Sequence, residues 1–232
     1  MKNIAVLLAG GSGKRMGSIL PKQFLKIGNK SIIQHTIEAF ENHKSIDEIC
    51  IIINAAYRNE INDLITNNNF SKIRYVLNGG KERKDSSLNA IKAYEKEQNV
   101  YLIFHDAVRP FVSERIITDV INKLKTGKSV AVAIPTTDTI FCLNQDKTSI
   151  KSVPERKLLR RAQTPQAFSY TTIKKAYDIA TNDPDFVATD DCGVVLKYLP
   201  EETIYIVDGN ESNIKITFEQ DFLQGIQIIS KK

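Results

Sequence analysis

The sequence predicts an α/β fold in which a mainly parallel sheet carries helices on both faces. Two observations support this prediction. Short, continuous apolar runs alternate with amphipathic segments through residues 4–135, and the turns after several of these runs contain glycine or charged residues. Parallel strands are covered on both faces, so their sequences are apolar throughout and do not alternate with polar residues.

Five strands and four helices account for this part of the chain. Apolar runs predict strands at residues 4–9, 48–54, 73–77, 100–104 and 129–135. Apolar residues at helical spacing predict helices at residues 31–40, 57–66, 85–96 and 113–125. Asp85 or Ser86 is expected to cap the third helix, and Ser113 the fourth. Ligands bind beyond the carboxyl ends of parallel strands. The loops expected to carry function therefore follow Ala9, Leu77, Phe104 and Pro135.

The alternation of strands and helices ends after Pro135. Residues 139–153 alternate weakly around a turn at residues 144–146, which predicts a hairpin. Helices are predicted at residues 169–181, 190–199 and 218–229, and strands at residues 202–207 and 213–217. We expect one domain spanning residues 1–232 with an inserted β-arm at about 138–155. The arm has little core of its own, so it is expected to pack on another surface such as a second subunit.

The composition excludes several classes of protein. The chain has 232 residues, 42% of them hydrophobic, and 32 Lys and Arg against 27 Asp and Glu give a net charge of +5. This apolar content excludes disorder. The three cysteines lack the spacing of a metal site or a disulfide framework, which favours a reducing, cytoplasmic setting. No apolar run reaches the ~20 residues needed to cross a bilayer, so no membrane partner is expected. The basic residues are scattered among acids, which favours small anionic ligands over nucleic acid.

The first candidate site is the segment LAGGSGKRMG at residues 8–17, directly after the first strand. Glycines let a backbone approach a ligand and turn its N–H groups toward an anion. The segment is not a P-loop, because Arg15 stands where Ser or Thr is required. It is not a dinucleotide fingerprint either, because Met16 stands where the third glycine is required. Lys14, Arg15 and Lys22 supply positive charge nearby, so phosphate binding is favoured over a simple tight turn.

The second candidate site is the segment GGKERKDSS at residues 79–87. Two glycines end a strand and a charged segment opens a helix, whose N-terminus favours anions. Arg83 and Ser86 could therefore reach a base, a ribose or a phosphate. An ordinary capped helix start explains the segment equally well.

The third candidate site is the segment HDAVRP at residues 105–110. Asp106 follows a buried strand, where it could hold Mg²⁺ on a polyphosphate or orient a hydroxyl group. It could also simply pair with Arg109. His105 is more typical of a buried structural histidine than of a catalyst.

Together these segments resemble the 2-C-methyl-D-erythritol 4-phosphate cytidylyltransferases of isoprenoid precursor synthesis. The likeness covers nearly the whole chain and keeps the segments in order: AGGSGKRMG, PKQFL, GGKERKDS, HDAVRPFV, TDTI, QTPQAF, TDD and NIKIT. Ribitol 5-phosphate cytidylyltransferases share most of these blocks. The three residues between Gly17 and Pro21, and the TDD block, look closer to the methylerythritol enzymes. The sequence AGG at residues 9–11 is frequent in the ribitol enzymes.

The resemblance implies a Rossmann-like, three-layer α/β/α nucleotidyltransferase sheet and a homodimer clasped through the β-arm. The implied nucleotide-binding residues are Leu8, Ala9, Gly10, Gly11, Ser12, Gly13, Gly80, Arg83 and Ser86. The implied catalytic residues are Arg15, Lys22, Arg156 and Lys215. The implied substrate-binding residues are Asp106, Arg109, Thr139, Thr164 and Thr189. Thr139, Arg156 and Thr164 are the candidates to reach across the dimer.

The implied reaction joins CTP and 2-C-methyl-D-erythritol 4-phosphate by in-line attack at the α-phosphorus, with Mg²⁺ or another divalent cation as cofactor. The attacking phosphate is already anionic near neutral pH, since its second pKa is about 6, so no general base is required. The nearest alternative is a D-ribitol 5-phosphate cytidylyltransferase that makes CDP-ribitol for cell-surface polymers. A nucleotide-sugar pyrophosphorylase is more distant. A nucleic-acid-binding module is a third alternative, but Trp is absent and the basic residues are not clustered with aromatic ones.

Overall fold

A computed structural model describes residues 1–11, 20–97 and 99–230. The strands are β1 (Lys2–Ala9), β2 (Lys26–Ile27), β3 (Lys30–Ser31), β4 (Glu48–Ile53), β5 (Ile73–Asn78), β6 (Val100–Asp106), β7 (Ser129–Pro135), β8 (Cys142–Leu143), β9 (Ile150–Ser152), β10 (Arg160–Ser169) and β11 (Ile204–Asp208). The helices are α1 (Ile32–Glu41), α2 (Arg58–Asn68), α3 (Arg83–Ala93), α4 (Glu114–Leu124), α5 (Tyr170–Ala180), α6 (Asp191–Tyr198) and α7 (Glu219–Ser230).

A seven-stranded sheet with the order β11-β7-β10-β6-β1-β4-β5 forms the centre of the fold. Strand β10 runs antiparallel to both of its neighbours, and the other pairs are parallel. Helices α1, α2 and α4 pack on one face of the sheet, and α3, α5 and α6 pack on the other. The prediction of a mainly parallel sheet with helices on both faces is therefore confirmed.

The register of the central strands brings the predicted loops to one edge. Leu8 of β1 lies beside Asp106 of β6, and Ala9 lies beside Ile53 of β4. The glycine-rich turn, the end of β5 and the end of β6 therefore meet at the carboxyl edge of the sheet. The loop after Pro135 leads into the arm.

Helix α3 begins earlier than the sequence predicts. Its N-cap is Glu82, and the Asp85 carboxylate in the first turn accepts a hydrogen bond from the Glu82 N–H at 2.9 Å. The expectation that Asp85 or Ser86 caps the helix is wrong, because Asp85 bonds back to the cap from inside the helix. Arg83 consequently lies in the first turn. The Ser113 cap of α4 is found as predicted, with its hydroxyl accepting from the Ile116 N–H.

Two further predictions differ from the structure. Strand β10 was not predicted, because its residues 163–168 bury polar side chains among apolar ones and so lack a strand-like hydrophobic pattern. The strand predicted at residues 213–217 is wrong. This segment joins no sheet in the part of the chain that the structure describes, although the Ile216 N–H donates to the Val108 carbonyl at 2.9 Å.

The predicted arm contains a small antiparallel hairpin of β8 and β9. Several large apolar side chains on and beside it are exposed: Ile140, Phe141, Leu143, Ile150 and Val153. Cys50 and Cys192 are buried, Cys142 is exposed, and all three are free thiols. Among the described helices, none combines the length and the apolar character that a membrane span requires.

Candidate active site

A cleft of about 370 Å³ opens at the carboxyl edge of the sheet. Its lining residues are Leu8, Ala9, Gly10, Gly11, Lys22, Gln23, Gly80, Lys81, Glu82, Arg83, Ser86, Asp106, Val108 and Lys215. Every predicted nucleotide-binding residue that the structure describes lies in this lining. Ser12 and Gly13 lie outside the described residues, as does the predicted catalytic residue Arg15.

Two glycine turns pack directly against each other at the base of the cleft. A β-carbon on Gly79 would lie 3.2 Å from the Gly10 Cα, and one on Gly10 would lie 3.3 Å from the Ser86 Oγ. The Gly80 N–H donates to the Ser86 Oγ at 3.2 Å. A side chain on Gly10 or Gly79 would therefore require its neighbours to shift by a few tenths of an ångström in the turns that are predicted to hold the nucleotide.

Gln23 supports the glycine-rich turn, a role that the sequence pattern does not predict. Its side chain is buried, and its Nε2 donates to the Ala9 carbonyl at 3.0 Å and to the Gly11 carbonyl at 3.2 Å. These bonds fix the start of the turn in one conformation. The available signal is its place in the block PKQFL, directly after Lys22, in a segment already singled out for that lysine.

The cleft is rich in positive charge. Lys22, Lys81, Arg83 and Lys215 line it, and the N-terminus of α3 adds the positive end of a helix dipole. Lys22 is mostly buried, whereas the Lys215 side chain is 42% exposed. This arrangement attracts and orients a polyanion such as a triphosphate.

Asp106 is the buried carboxylate among the lining residues. Its Oδ2 lies 3.0 Å from the Lys215 Nζ and 3.4 Å from the Arg109 Nε. Burial acts to raise the pKa of Asp106, but the charges of Lys215, Arg83 and Arg109 outweigh it and lower the pKa to about 2. Asp106 is therefore ionised at neutral pH and holds the ammonium group of Lys215 at the cleft.

Arg109 lies behind Asp106. Its Nη1 donates to the Asn213 carbonyl at 2.8 Å, and its Nη2 to the Ala162 carbonyl at 3.5 Å. Burial lowers the pKa of Arg109 below its ordinary value, against the opposing effect of Asp106. These contacts tie the segment carrying Lys215 to β10, so Lys215 reaches the cleft without belonging to a strand.

His105 is a structural residue in this fold. It is completely buried, with Nε2 3.1 Å from the Arg109 carbonyl oxygen and Nδ1 3.0 Å from the Thr164 Oγ1. Burial lowers the pKa of His105 to about 4, so the ring is neutral at pH 7. The Thr164 hydroxyl also accepts from the Asp106 N–H at 3.1 Å. Thr164 thus lies behind the cleft lining and orients the end of β6.

The remaining predicted site residues lie apart from the described lining of the cleft. Thr139 and Arg156 are exposed on the arm, where the Arg156 Nη2 donates to the Thr139 Oγ1 at 2.9 Å. Thr189 is exposed just before α6. Their predicted roles need either the acceptor or a second subunit to connect them with the cleft.

The described residues contain no group of three or more His, Cys, Asp and Glu side chains placed to hold a metal ion. The carboxylates in the lining are the buried Asp106 and the exposed Glu82. Such a donor set suits an ion that arrives with a polyphosphate, because Mg²⁺ is commonly held by one or two carboxylates together with substrate phosphates.

Comparisons with known proteins are consistent with this geometry. Residues 3–231 match the family model described as IspD: 2-C-methyl-D-erythritol 4-phosphate cytidylyltransferase. The chain is 48% identical over 217 residues to the bifunctional ribulose 5-phosphate reductase/CDP-ribitol pyrophosphorylase Bcs1 of Haemophilus influenzae. That match covers 93% of this chain but only 46% of the relative.

Two other proteins match over most of both chains. The 2-C-methyl-D-erythritol 4-phosphate cytidylyltransferase of Thermobifida fusca is 42% identical, with 94% of this chain and 89% of the relative covered. The crystal structure of 4-diphosphocytidyl-2C-methyl-D-erythritol synthase from Anaerococcus prevotii superposes with a TM-score of 0.86 at 29% identity. It covers 99% of this chain and 96% of that one.

Proposed function

The chain belongs to the 2-C-methyl-D-erythritol 4-phosphate cytidylyltransferase family and is a nucleotidyltransferase, and we propose that it joins CTP to a polyol phosphate. One observation carries the proposal: two glycine turns that pack against each other form a cleft lined by Lys22, Arg83 and Lys215. The ionised Asp106 lies beside Lys215. Backbone groups can approach a base and a ribose there, and the cations can receive a triphosphate.

The proposed reaction is a direct displacement at phosphorus. A phosphate oxygen of the acceptor forms a bond to the α-phosphorus of CTP. The bond from that phosphorus to the bridging oxygen of the β-phosphate breaks, and pyrophosphate leaves with the electron pair. No proton has to be removed from the nucleophile. The residues act by positioning and by charge neutralisation, with Lys22, Lys215 and Arg15 assigned to the transition state.

We propose that Mg²⁺ accompanies the triphosphate, with Asp106 as the buried carboxylate available to it. When bound, the ion would neutralise negative charge on the phosphate oxygens. Asp106 also fixes Lys215, so its role in orienting a cation does not depend on the metal.

The proposed acceptor is 2-C-methyl-D-erythritol 4-phosphate, which the family model and the Thermobifida relative favour. The second candidate is D-ribitol 5-phosphate. The 48% identity to the Haemophilus CDP-ribitol pyrophosphorylase favours it, as does the AGG sequence of the first turn. Both reactions use the same cleft and differ only in the polyol.

A pyrophosphate-release assay with Mg²⁺, CTP and each acceptor decides between these candidates. We expect turnover with one acceptor to exceed turnover with the other at least tenfold, and CTP to be preferred over ATP, GTP and UTP. Lys22→Ala or Lys215→Ala should lower the rate roughly a hundredfold, as for loss of one group that stabilises transition-state charge. If neither acceptor yields a CDP-conjugate, or if UTP serves as well as CTP, the proposal is wrong.

We also propose that the chain forms a homodimer through its arm. The exposed apolar side chains on and beside the β8–β9 hairpin support this proposal, as does the absence of Thr139 and Arg156 from the described lining of the cleft. Sedimentation should give the mass of two chains. Phe141→Asp combined with Leu143→Asp should give one chain and low activity. Leu196→Asp, at an exposed leucine outside the arm, should leave the mass unchanged. A wild-type protein that sediments as one chain would exclude the dimer.

A further inference from the structure

Arg83 occupies an unusual electrostatic position. It is the first residue of α3 and lines the cleft, so its positive charge lies at the positive end of a helix dipole. The Asp191 carboxylate compensates it, with the Arg83 Nη1 2.6 Å from the Asp191 Oδ2. The Asp191 side chain is completely buried, whereas 23% of the Arg83 side chain is exposed. The ion pair therefore has a buried acidic side and a cationic side that faces the cleft.

Contacts with β10 and α5 fix Asp191 at the start of α6. Asp191 is the first residue of α6, and its backbone N–H donates to the Gln166 Oε1 of β10 at 3.0 Å. Its Oδ1 accepts from the Tyr177 hydroxyl of α5 at 2.7 Å. Gln166 also accepts from the Cys192 N–H at 3.2 Å. The backbone at Asp191 is thus held by β10, and its carboxylate is held by the Tyr177 hydroxyl of α5 in addition to Arg83.

Nearby acidic groups keep the Arg83 guanidinium charged. Burial acts to lower the pKa of Arg83, but the charges of Asp191 and Asp106, together with the hydrogen bond to Asp191, outweigh it and hold the pKa above its ordinary value. Burial and the Asp191 charge together raise the pKa of Tyr177, so its hydroxyl remains a proton donor. Apolar residues often stabilise a fold as well as a buried ion pair does. What the pair adds at this place is a fixed direction for the guanidinium.

We propose that Asp191 is a positioning residue for the nucleotide, acting by holding the Arg83 guanidinium against the triphosphate of CTP. The proposal rests on the proposed function, which supplies CTP as the ligand. Asp191 touches no cleft lining residue other than Arg83 through a described hydrogen bond or ion pair, so its influence on the nucleotide runs through that side chain.

The test is a double-mutant cycle on CTP binding, measured by calorimetry with Mg²⁺ and without acceptor. Asp191→Asn keeps the size of the side chain but removes its charge. We expect the Kd for CTP to rise roughly tenfold or more, as for the loss of one charge-assisted hydrogen bond. In steady-state assays the KM for CTP should rise similarly, while kcat at saturating CTP falls only a few-fold.

The combined Arg83→Gln and Asp191→Asn variant separates positioning from a general structural role. If Asp191 acts through Arg83, adding Asp191→Asn to Arg83→Gln leaves the Kd for CTP unchanged. If Asp191 only supports the fold, Asp191→Asn raises the Kd for CTP by the same factor in wild type and in Arg83→Gln, and the proposal is overturned. Arg83→Gln alone leaves a buried charge uncompensated and is the variant most at risk of misfolding. Tyr177→Phe keeps the ion pair and is the fallback: it should raise the Kd for CTP about two- to threefold, and an unchanged Kd would contradict the proposal.

Asp183→Asn is the matched control. The Asp183 carboxylate accepts from the Tyr198 hydroxyl at 2.5 Å and pairs with Lys197 at 2.9 Å, the same kinds of partner that Asp191 has. It precedes α6 and lies outside the cleft lining, so its replacement should leave the Kd for CTP unchanged. If wild-type protein binds CTP but the effects of Arg83→Gln and Asp191→Asn on the Kd simply add, the positioning role is overturned and the proposed function is not. Wild-type protein that binds no CTP overturns the proposed function and, with it, this inference.

Discussion

Replacing Asp106 by Asn tests whether the cations of the cleft stabilise a charged carboxylate. In the native protein the pKa of Asp106 is lowered from 3.8 to about 2 despite burial, chiefly by Lys215, Arg83 and Arg109. At about 1.4 kcal/mol per pH unit, this lowering corresponds to about 2.5 kcal/mol of stability at neutral pH. Because the native pKa lies below the unfolded one, this contribution is complete above about pH 5 and is lost as the pH falls toward 2.

The measurement is urea unfolding of wild type and Asp106→Asn at a series of pH values. The difference in the free energy of unfolding between wild type and Asp106→Asn should fall by about 1 kcal/mol between about pH 6 and pH 3, and by about 2 kcal/mol by pH 2. Asp119→Asn, which breaks the exposed Arg115–Asp119 pair, should change stability by less than about 0.5 kcal/mol. Parallel pH curves for wild type and Asp106→Asn would refute the reasoning, because they would mean that the cations do not favour the ionised form.

Three further predictions follow from local contacts. Tyr94→Phe should raise the free energy of unfolding by about 1 kcal/mol, because the buried hydroxyl has no hydrogen-bond partner in the described part of the chain; a decrease would mean that it has one. Gln23→Ala should cost about 2 kcal/mol in denaturant unfolding and raise the KM for CTP, because two carbonyls of the glycine-rich turn lose their partner; an unchanged KM would exclude the supporting role. Gly80→Ala should raise the Kd for CTP roughly tenfold in calorimetry, because a β-carbon there overlaps the Asp85 side chain; wild-type affinity would show that the turn can yield.

The parallel part of the fold was predictable because burial on both faces leaves a simple mark in the sequence. Strands β1, β4 and β6 are almost entirely apolar and were found close to their observed bounds. Strand β10 left no such mark, since Gln163, Thr164 and Gln166 are buried polar residues whose partners come from distant parts of the chain. A pattern of hydrophobicity cannot reveal a strand whose inward side chains are satisfied by hydrogen bonds.

The same distinction applies to the site. The strand-end rule found the glycine turns and Asp106, because parallel strands bring their carboxyl ends to one edge whatever the rest of the fold does. The same rule does not identify Gln23 or Asp191, because neither follows a predicted strand directly. The contact between Arg83 and Asp191 spans 108 residues, and a TDD block before a helix predicts only a helix start. The contact is evident only in the structure, where the N-termini of α3 and α6 meet.

The two buried acids of the site serve a common physical purpose. Asp106 holds Lys215 and Asp191 holds Arg83, so two cations of the cleft are oriented from the protein side before any nucleotide arrives. Cations fixed in advance need little reorganisation when charge develops at phosphorus, which is the main source of electrostatic catalysis. Each is also partly neutralised by its carboxylate, which moderates the attraction for pyrophosphate. For Arg83 we expect the fixed direction of the guanidinium to matter more to CTP binding than its unpaired charge, which is why loss of the Asp191 carboxylate should weaken binding although it removes a neutralising charge.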